Sequence, residues 1–213
     1  MKKFVTITGS NGSLASELIK IFSKGNYGLI LHLRKPNKNL KKILKKYNKT
    51  SDYNFIYGDI RKKSTLQKIS KFIKLKKSNI LINNCGIYLN KPFAKTTHKE
   101  IVNIFNINFF SNIYLLKEIY NYNFKEFLVI NINSIAGING SKNESIYSSS
   151  KHALKGFYES LEYEKKANFR YLNIFSGAFK SKMTKNRDTF KKLIEPSELA
   201  QIILNNIINY KNT

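Results

Sequence analysis

The sequence predicts an α/β protein built on a doubly wound parallel sheet with helices on both faces. Two observations lead there. Strand-length apolar runs alternate with helical patterns from the start of the chain, as expected of parallel strands joined by crossover helices. The first run also leads straight into a glycine-bearing turn that opens a helix, at Thr8-Gly9-Ser10-Asn11-Gly12. With 213 residues there is room for one such domain, spanning 1–213, and none for a second.

Six strands are expected, over residues 3–8, 28–33, 53–57, 80–83, 126–131 and 170–174. Runs such as Leu29-Ile30-Leu31 and Phe127-Leu128-Val129-Ile130 are strand-length and end in polar residues. They fall well short of the roughly 18 to 20 unbroken apolar residues of a membrane span. Helices are expected over 13–24, 37–47, 64–75, 97–121 and 144–166, each long enough for a right-handed return crossover. In the second of these, Leu40, Ile43, Leu44 and Tyr47 recur at i, i+3, i+4 and i+7 with lysines on the opposite side. A last helix, 196–210, starts at Pro196, a residue suited to a first helical turn, and carries Leu199, Ile202, Ile203, Asn206 and Ile207 on one side. No internal repeat or low-complexity linker interrupts the pattern.

The formal net charge of +25 raises the question of a polyanionic partner, since clustered Lys and Arg attract phosphate. The excess is nearly all lysine, spread along a chain also rich in Asn and Ile, which is the mark of an AT-rich coding bias. Even the densest run, 35–49, reads as a basic helix packed on a sheet, so a nucleic-acid or membrane partner is not expected. The single cysteine, Cys85, cannot form an internal disulfide, and Met1-Lys2-Lys3 opens directly into the first strand. The expectation is a soluble, cytoplasmic protein.

The first turn carries a binding signal. A glycine-rich turn at a helix start offers free backbone N–H groups and the positive end of the helix dipole to a pyrophosphate. Gly9 and Gly12 suit the turn and its close approach; Ala15 is small enough to let the helix pack on the strand. The alternative is an ordinary strand-to-helix loop. At the end of the second strand, where a dinucleotide fold holds its adenosine ribose, stands Arg34 rather than an acid. Its planar donor fork suits a 2′-phosphate, which favours NADP(H) over NAD(H); the alternative is one more solvated cation.

Tyr147 and Lys151 lie four apart near the start of a helix, hence on one face. A nearby ammonium stabilises a phenolate and brings a tyrosine towards use as an acid or base at neutral pH. The pair is short, but it has company. Asn133-Ser134-Ile135-Ala136-Gly137 falls just after the fifth strand, with Ser134 thirteen residues before Tyr147. Asn83-Asn84-Cys85-Gly86 follows the fourth strand, and Asn108 lies in the next helix. His32, His98 and His152 are scattered, and no Cys or carboxylate pattern joins them into a metal site.

In these motifs, their order and their spacing, the chain from Phe4 to about Ile208 resembles the short-chain dehydrogenase/reductase superfamily. The resemblance implies a Rossmann-type sheet of about six strands in the order 3-2-1-4-5-6. It implies a catalytic set of Tyr147 as the proton donor to a carbonyl, Ser134 polarising the same oxygen, Lys151 on the nicotinamide ribose, and Asn108 holding a relay water. It further implies that Gly9, Ser10, Asn11, Gly12, Ser13 and Leu14 bind the pyrophosphate side of the cofactor, with Asp59 and Ile60 at the adenine. Asn84, Cys85 and Gly86 would line the cofactor, and Gly177, Phe179 and Ser181 would lie beside the nicotinamide carboxamide.

Three departures from the family pattern stand out. Ser13 and Ala15 occupy the usual second and third glycine positions, and Gly12 comes one place early, a spacing that resembles the larger extended members. Those act mostly on nucleotide sugars and carry a substrate domain for which this chain has no room. Ser176 replaces a proline, and the usual seventh strand is expected to be missing, with only residues 209–213 after the last helix. A homodimer through helices 97–121 and 144–166 is therefore expected rather than a tetramer. The implied function is an NADP(H)-preferring reductase of a small carbonyl compound, reversible to alcohol oxidation. Alternatives are a sugar-nucleotide-modifying enzyme, a non-catalytic cofactor-binding regulator, and a polyanion binder. The substrate pocket, lined by 135–145 and 177–195, does not spell out a chemical class.

Overall fold

A computed structural model describes residues 3–47, 52–164, 166–186 and 188–211, with side chains assigned to 208. Residue 165 of the expected 144–166 helix, residues 48–49 of the basic 35–49 run, residue 187 of the expected 177–195 pocket lining and residues 212–213 lie outside these described residues. The strands are β1 (Phe4–Ile7), β2 (Gly28–Leu33), β3 (Tyr53–Tyr57), β4 (Ile80–Asn83), β5 (Phe127–Ser134) and β6 (Phe169–Ser176). They form one six-stranded sheet in the order β3-β2-β1-β4-β5-β6, with every pairing parallel.

Helices α1 (Ser13–Lys24), α2 (Lys38–Tyr47) and α7 (Pro196–Lys211) cover one face. On the other lie α3 (Lys63–Leu75), α5 (Ser111–Ile119) and α6 (Ser145–Tyr163), with α4 (His98–Phe105) leading into α5. Side-chain alternation divides the strands between two cores. Val5, Ile7, Leu29, Leu31, Ile80 and Ile82 point to the α1 side, while Phe4, Ile30, Leu81 and Val129 point to the α6 side. Both faces being covered explains why these strands read as unbroken apolar runs.

Two expectations need correction. The fifth and sixth strands run further than their apolar cores suggest, because β5 and β6 stay paired through Asn133↔Phe175 to Ser134↔Ser176. Ser134 therefore ends a strand instead of following one, and backbone pairing outweighs the turn-forming tendency of Asn and Ser. The single helix expected over 97–121 is interrupted by a π-helical turn at Asn106–Phe110, which carries Asn108. Such an inserted turn re-aims the side chains within it and occurs often at functional sites.

Near the carboxyl ends of the strands a polar ladder replaces the apolar core. Asn83, Asn131 and Asn173 sit in register on β4, β5 and β6. Asn83 Nδ2 donates to Asn131 Oδ1 at 2.9 Å, and Asn131 Nδ2 donates to Asn173 Oδ1 at 3.2 Å. Asn83 Nδ2 also donates to the hydroxyl of fully buried Tyr158 at 3.2 Å. Tyr158 shares a helix face with Lys151 and Leu154, so the ladder seats α6 on the sheet at the site end.

Candidate active site

In an open α/β sheet ligands bind beyond the carboxyl ends of the strands, at the point where strand order reverses, here between β1 and β4. The turn after β1 is held by backbone geometry. Gly9 has φ +64°, and a Cβ on it would lie 2.8 Å from the Cα of Cys85. Only glycine fits both constraints. Across this contact the Thr8 hydroxyl accepts the N–H groups of Asn84 and Cys85, each at 3.1 Å. Asn84 Nδ2 donates to the carbonyls of Thr8 and Gly9 at 3.0 Å. The two loops that flank the switch point are thus one unit.

Gly12 is the N-cap of α1 and supplies no side-chain cap, which leaves first-turn N–H groups of the helix available to an anion. Ser10 is buried and donates to Ile7 O at 2.9 Å, while Asn11 exchanges bonds with Lys35 and Asn37. Ser13 Oγ reaches Lys180 O at 3.4 Å, tying the turn to the segment after β6. Leu14 and Ala15 are buried in the α1 core, so Leu14 can meet a ligand only through its backbone.

His32, set aside in the sequence, is part of this turn. Its Nδ1 accepts the Gly9 N–H at 3.4 Å, which assigns the proton to Nε2, 3.1 Å from Gly58 O. Burial pushes its pKa below the ordinary histidine value, against smaller opposing effects of the Gly58 carbonyl and Asp59. A histidine at the end of a strand gives no sequence signal for this role; only the approach of the two loops does.

Where the sequence places the adenosine end, Arg34 is exposed just past β2. The Asp59 carboxylate is gripped by Arg61, at 2.9 Å from Nε and 2.5 Å from Nη2, and accepts the Arg61 N–H at 3.0 Å. These bonds, led by the Arg61 side chain, hold the Asp59 pKa down to about 2. Arg61 also reaches Asn103 Oδ1 of α4 at 2.7 Å, and Ile60 is buried. Asp59 therefore enters the site with its carboxylate already engaged, which the sequence did not signal.

Tyr147 stands in the first turn of α6, half-buried, and Lys151 one turn on is buried. Lys151 Nζ donates to Ile132 O at 3.0 Å, and burial lowers its pKa to about 8. Ser134, half-buried at the end of β5, accepts the Ala136 N–H at 3.2 Å. Gly137 lets α6 approach this strand end, since a Cβ there would lie 3.0 Å from both Asn133 Oδ1 and Lys151 O. Asn108 is buried and clamps the β4 loop to α6. Its Oδ1 accepts Ile87 N–H at 2.8 Å, and its Nδ2 donates to Ile87 O at 3.0 Å and Ser150 Oγ at 3.1 Å. Ser150 Oγ in turn donates to Tyr147 O at 2.7 Å. Cys85 is half-buried beside the glycine turn, and burial pushes its thiol up to about 11. It stays protonated and unreactive at neutral pH.

Past β6, Gly177 is followed by a tight turn. Lys180 N–H donates to Ile194 O at 3.0 Å, Ser181 N–H donates to Thr184 Oγ1 at 3.0 Å, and Thr184 Oγ1 donates to Phe179 O at 2.6 Å. The Phe179 ring packs against the α1–α7 core. Among the described residues no helix is long and apolar enough to cross a membrane, and no group of three His, Cys, Asp or Glu could hold a metal ion.

A dinucleotide-type turn joined to a Ser, Tyr and Lys set on β5 and α6 defines a class, the short-chain oxidoreductases. The comparisons agree. Residues 3–192 match the family model described as short chain dehydrogenase. The chain is 31% identical over 195 residues to the 3-oxoacyl-acyl-carrier-protein reductase FabG of Buchnera aphidicola subsp. Schizaphis graminum, covering 89% of this chain and 79% of that protein. It is 27% identical to carbonyl reductase family member 4 of Xenopus laevis, covering 96% of this chain and 90% of that one. A short-chain dehydrogenase/reductase from Brucella melitensis superposes with a TM-score of 0.85 at 21% identity, over 95% of this chain and 90% of that chain, which shows the shared fold. The chain belongs to the short-chain dehydrogenase/reductase family, and is an oxidoreductase of the NAD(P)-dependent dehydrogenase/reductase class.

Proposed function

We propose that this protein reduces a carbonyl compound with NADPH. The observation that carries the reading is the first two turns of α6, where Tyr147 and buried Lys151 share a face and Lys151 reaches Ile132 O of β5, the strand that ends at Ser134. The cofactor fits the residues present: Gly9 leaves a cradle that a Cβ would close, and α1 starts without a side-chain cap. Gly9, Ser10, Asn11, Gly12, Ser13 and the Leu14 backbone would hold the pyrophosphate. Arg34 would meet the 2′-phosphate, and Asp59 and Ile60 the adenine. Asn84, Cys85 and Gly86 would line the middle, with Gly177, Phe179 and Ser181 near the carboxamide. When bound, the cofactor supplies the hydride.

Ser134 then donates to the substrate carbonyl oxygen, an interaction that strengthens as negative charge develops. Tyr147 gives its phenolic proton to that oxygen. Lys151, charged at neutral pH, binds the ribose hydroxyls and lowers the cost of the phenolate left behind. Asn108 keeps the β4 loop against α6, and its place in the π-helical turn suits it to hold a relay water. Apolar Phe93, Ile135, Ile138 and Met183 are exposed on the connections around this end of the sheet, which supports a substrate with an apolar portion. The 3-oxoacyl-acyl-carrier-protein reductase among its relatives makes 3-oxoacyl compounds the first to try.

The test is titration with NADPH and NADH, followed by a carbonyl screen read by cofactor absorbance, with Tyr147→Phe as control. Expected are tighter binding of NADPH and a loss of turnover by about 10²- to 10⁴-fold in the variant at unchanged cofactor affinity. Absence of binding to either cofactor sinks the reading.

The same proposal includes a homodimer through α4, α5 and α6, supported by exposed Val102, Phe110 and Tyr114 along α4 to α5, the last two stacked at 5.7 Å. Light scattering that returned a monomer or a tetramer would exclude it. A cytoplasmic setting, supported by the lone unpaired thiol, belongs to the same reading.

A further inference from the structure

Two connections meet beside Tyr147, and the clasp between them takes part in no step above. Tyr88, in the connection after β4, donates its hydroxyl to Glu144 Oε1 at 2.5 Å. Asn90 Nδ2 donates to the same hydroxyl at 3.2 Å. The Tyr88 ring meets the Tyr147 ring edge-on, with centroids 5.0 Å apart and planes at 81°. Glu144 is buried at the residue before α6, and its carbonyl takes the Ser148 N–H at 2.7 Å as the helix begins. A second link runs alongside, from Lys91 N–H to Asn143 O at 2.7 Å, where Asn143 at φ +62° turns the chain into the helix.

A buried carboxylate is retained at a cost unless donors meet it, and a phenol donating to it makes a short, charge-assisted bond. That bond fixes the direction of the Tyr88 ring. An edge-to-face contact favours one mutual orientation, so a fixed Tyr88 ring sets the plane of its neighbour. Tyr147 needs this, because it is half-buried in a first helical turn and is not enclosed by the core. We propose that Glu144 is a positioning residue: through Tyr88 it holds the Tyr147 ring in the orientation from which its proton is transferred. The inference rests on the reading of Tyr147 as proton donor.

Three variants separate the effects. Tyr88→Phe keeps the ring and loses the hydroxyl, Glu144→Gln keeps an acceptor and loses the charge, and Glu144→Ala loses both. Expected is a fall in kcat of about tenfold for Tyr88→Phe and Glu144→Ala, at unchanged NADPH affinity, with Glu144→Gln recovering most of it, since small misplacements of reacting groups carry penalties of this size or larger. A second readout needs no substrate. In protein labelled with [¹³Cζ]-tyrosine, the Tyr147 signal, identified by its loss in Tyr147→Phe, should shift in Tyr88→Phe and Glu144→Ala and return towards wild type in Glu144→Gln. A Tyr147 signal in Tyr88→Phe that superimposes on wild type overturns the proposal, whatever the state of turnover. So does an unchanged kcat in Tyr88→Phe when the wild type is active. Should Glu144→Ala fail to fold, Tyr88→Phe still decides. A wild type that binds NADPH but reduces no carbonyl removes the proton-donor reading and leaves the spectroscopic result to stand or fall alone.

Discussion

The glycine turn after β1 and the start of α6 lie at the same end of the sheet, yet they are built from different materials. At the turn, the proposed site is made of main chain: N–H groups, a positive φ, and a missing Cβ where Cys85 comes within 2.8 Å. At α6, the proposed site is made of side chains: an ammonium held by Ile132 O of β5, a phenol whose ring meets that of Tyr88, and a serine hydroxyl that accepts the Ala136 N–H. A site of the first kind should fail when any side chain is added, whatever its chemistry. One of the second kind should keep its shape and lose its function when a single atom is changed.

The sharpest way to break this contrast is Gly9→Val. A β-branched residue at φ +64° against the Cys85 backbone combines left-handed strain with a clash. A stability loss above about 2 kcal/mol in urea unfolding is expected, with NADPH binding abolished in fluorescence titration. A stable variant that binds normally would show that the turn is not backbone-built. A smaller change is expected at Arg34→Ala, which leaves the turn intact and removes only the proposed phosphate donor. NADPH affinity should fall about tenfold, with NADH affinity unaltered, as befits one charge-assisted fork. Equal losses for both cofactors would discard the 2′-phosphate assignment.

The α6 side of the contrast is read by pH. With its pKa lowered by burial to about 8, Lys151 is an ammonium below that value and an uncharged amine above it. If, as proposed, this charge stabilises a Tyr147 phenolate, kcat/KM, which reports the free enzyme, should decline as pH rises through about 8. A profile flat to pH 10 would separate Lys151 from the chemistry. The smallest effect belongs to His32. Its folded-state pKa is depressed, so below the ordinary value of 6.5 the unfolded chain binds the proton more readily. Stability contributed by neutral His32 is present above 6.5 and declines as pH falls below it. Protonation would also set an N–H against the Gly9 N–H. Urea unfolding at pH 7.5 and 5.5 should show this dependence, reduced in His32→Asn; an equal slope in the variant would assign it elsewhere.

The sequence made much of this visible, and unevenly. Glycines at Gly9 and Gly12 after an apolar strand are legible because backbone constraints leave a residue-type signature. Tyr147 and Lys151 are legible because helical spacing puts residues four apart on one face. Tyr88, Glu144 and Arg61 left no such mark, since each acts through a partner distant in the chain or through a local pairing that common surface residues make anywhere. Asp59 is a candidate by its motif, but its grip by Arg61 had no sequence signal. Ser134 is a candidate by its interval from Tyr147, yet its place inside β5 followed only from pairing with β6 out to Ser176.

By itself, then, the sequence determined the order of strands and helices, the two-faced burial of the sheet, the glycine turn and the residue types of the proposed reaction centre. Each of these follows from local propensity, periodicity or a constraint on one residue. The tertiary structure decided where β5 and β6 end, how the 97–121 helix breaks around Asn108, the Asn83-Asn131-Asn173 ladder beneath α6, and the clasp of Tyr88 by Glu144. These depend on contacts between residues dozens of positions apart, whose energies exist only once the chain has brought them together.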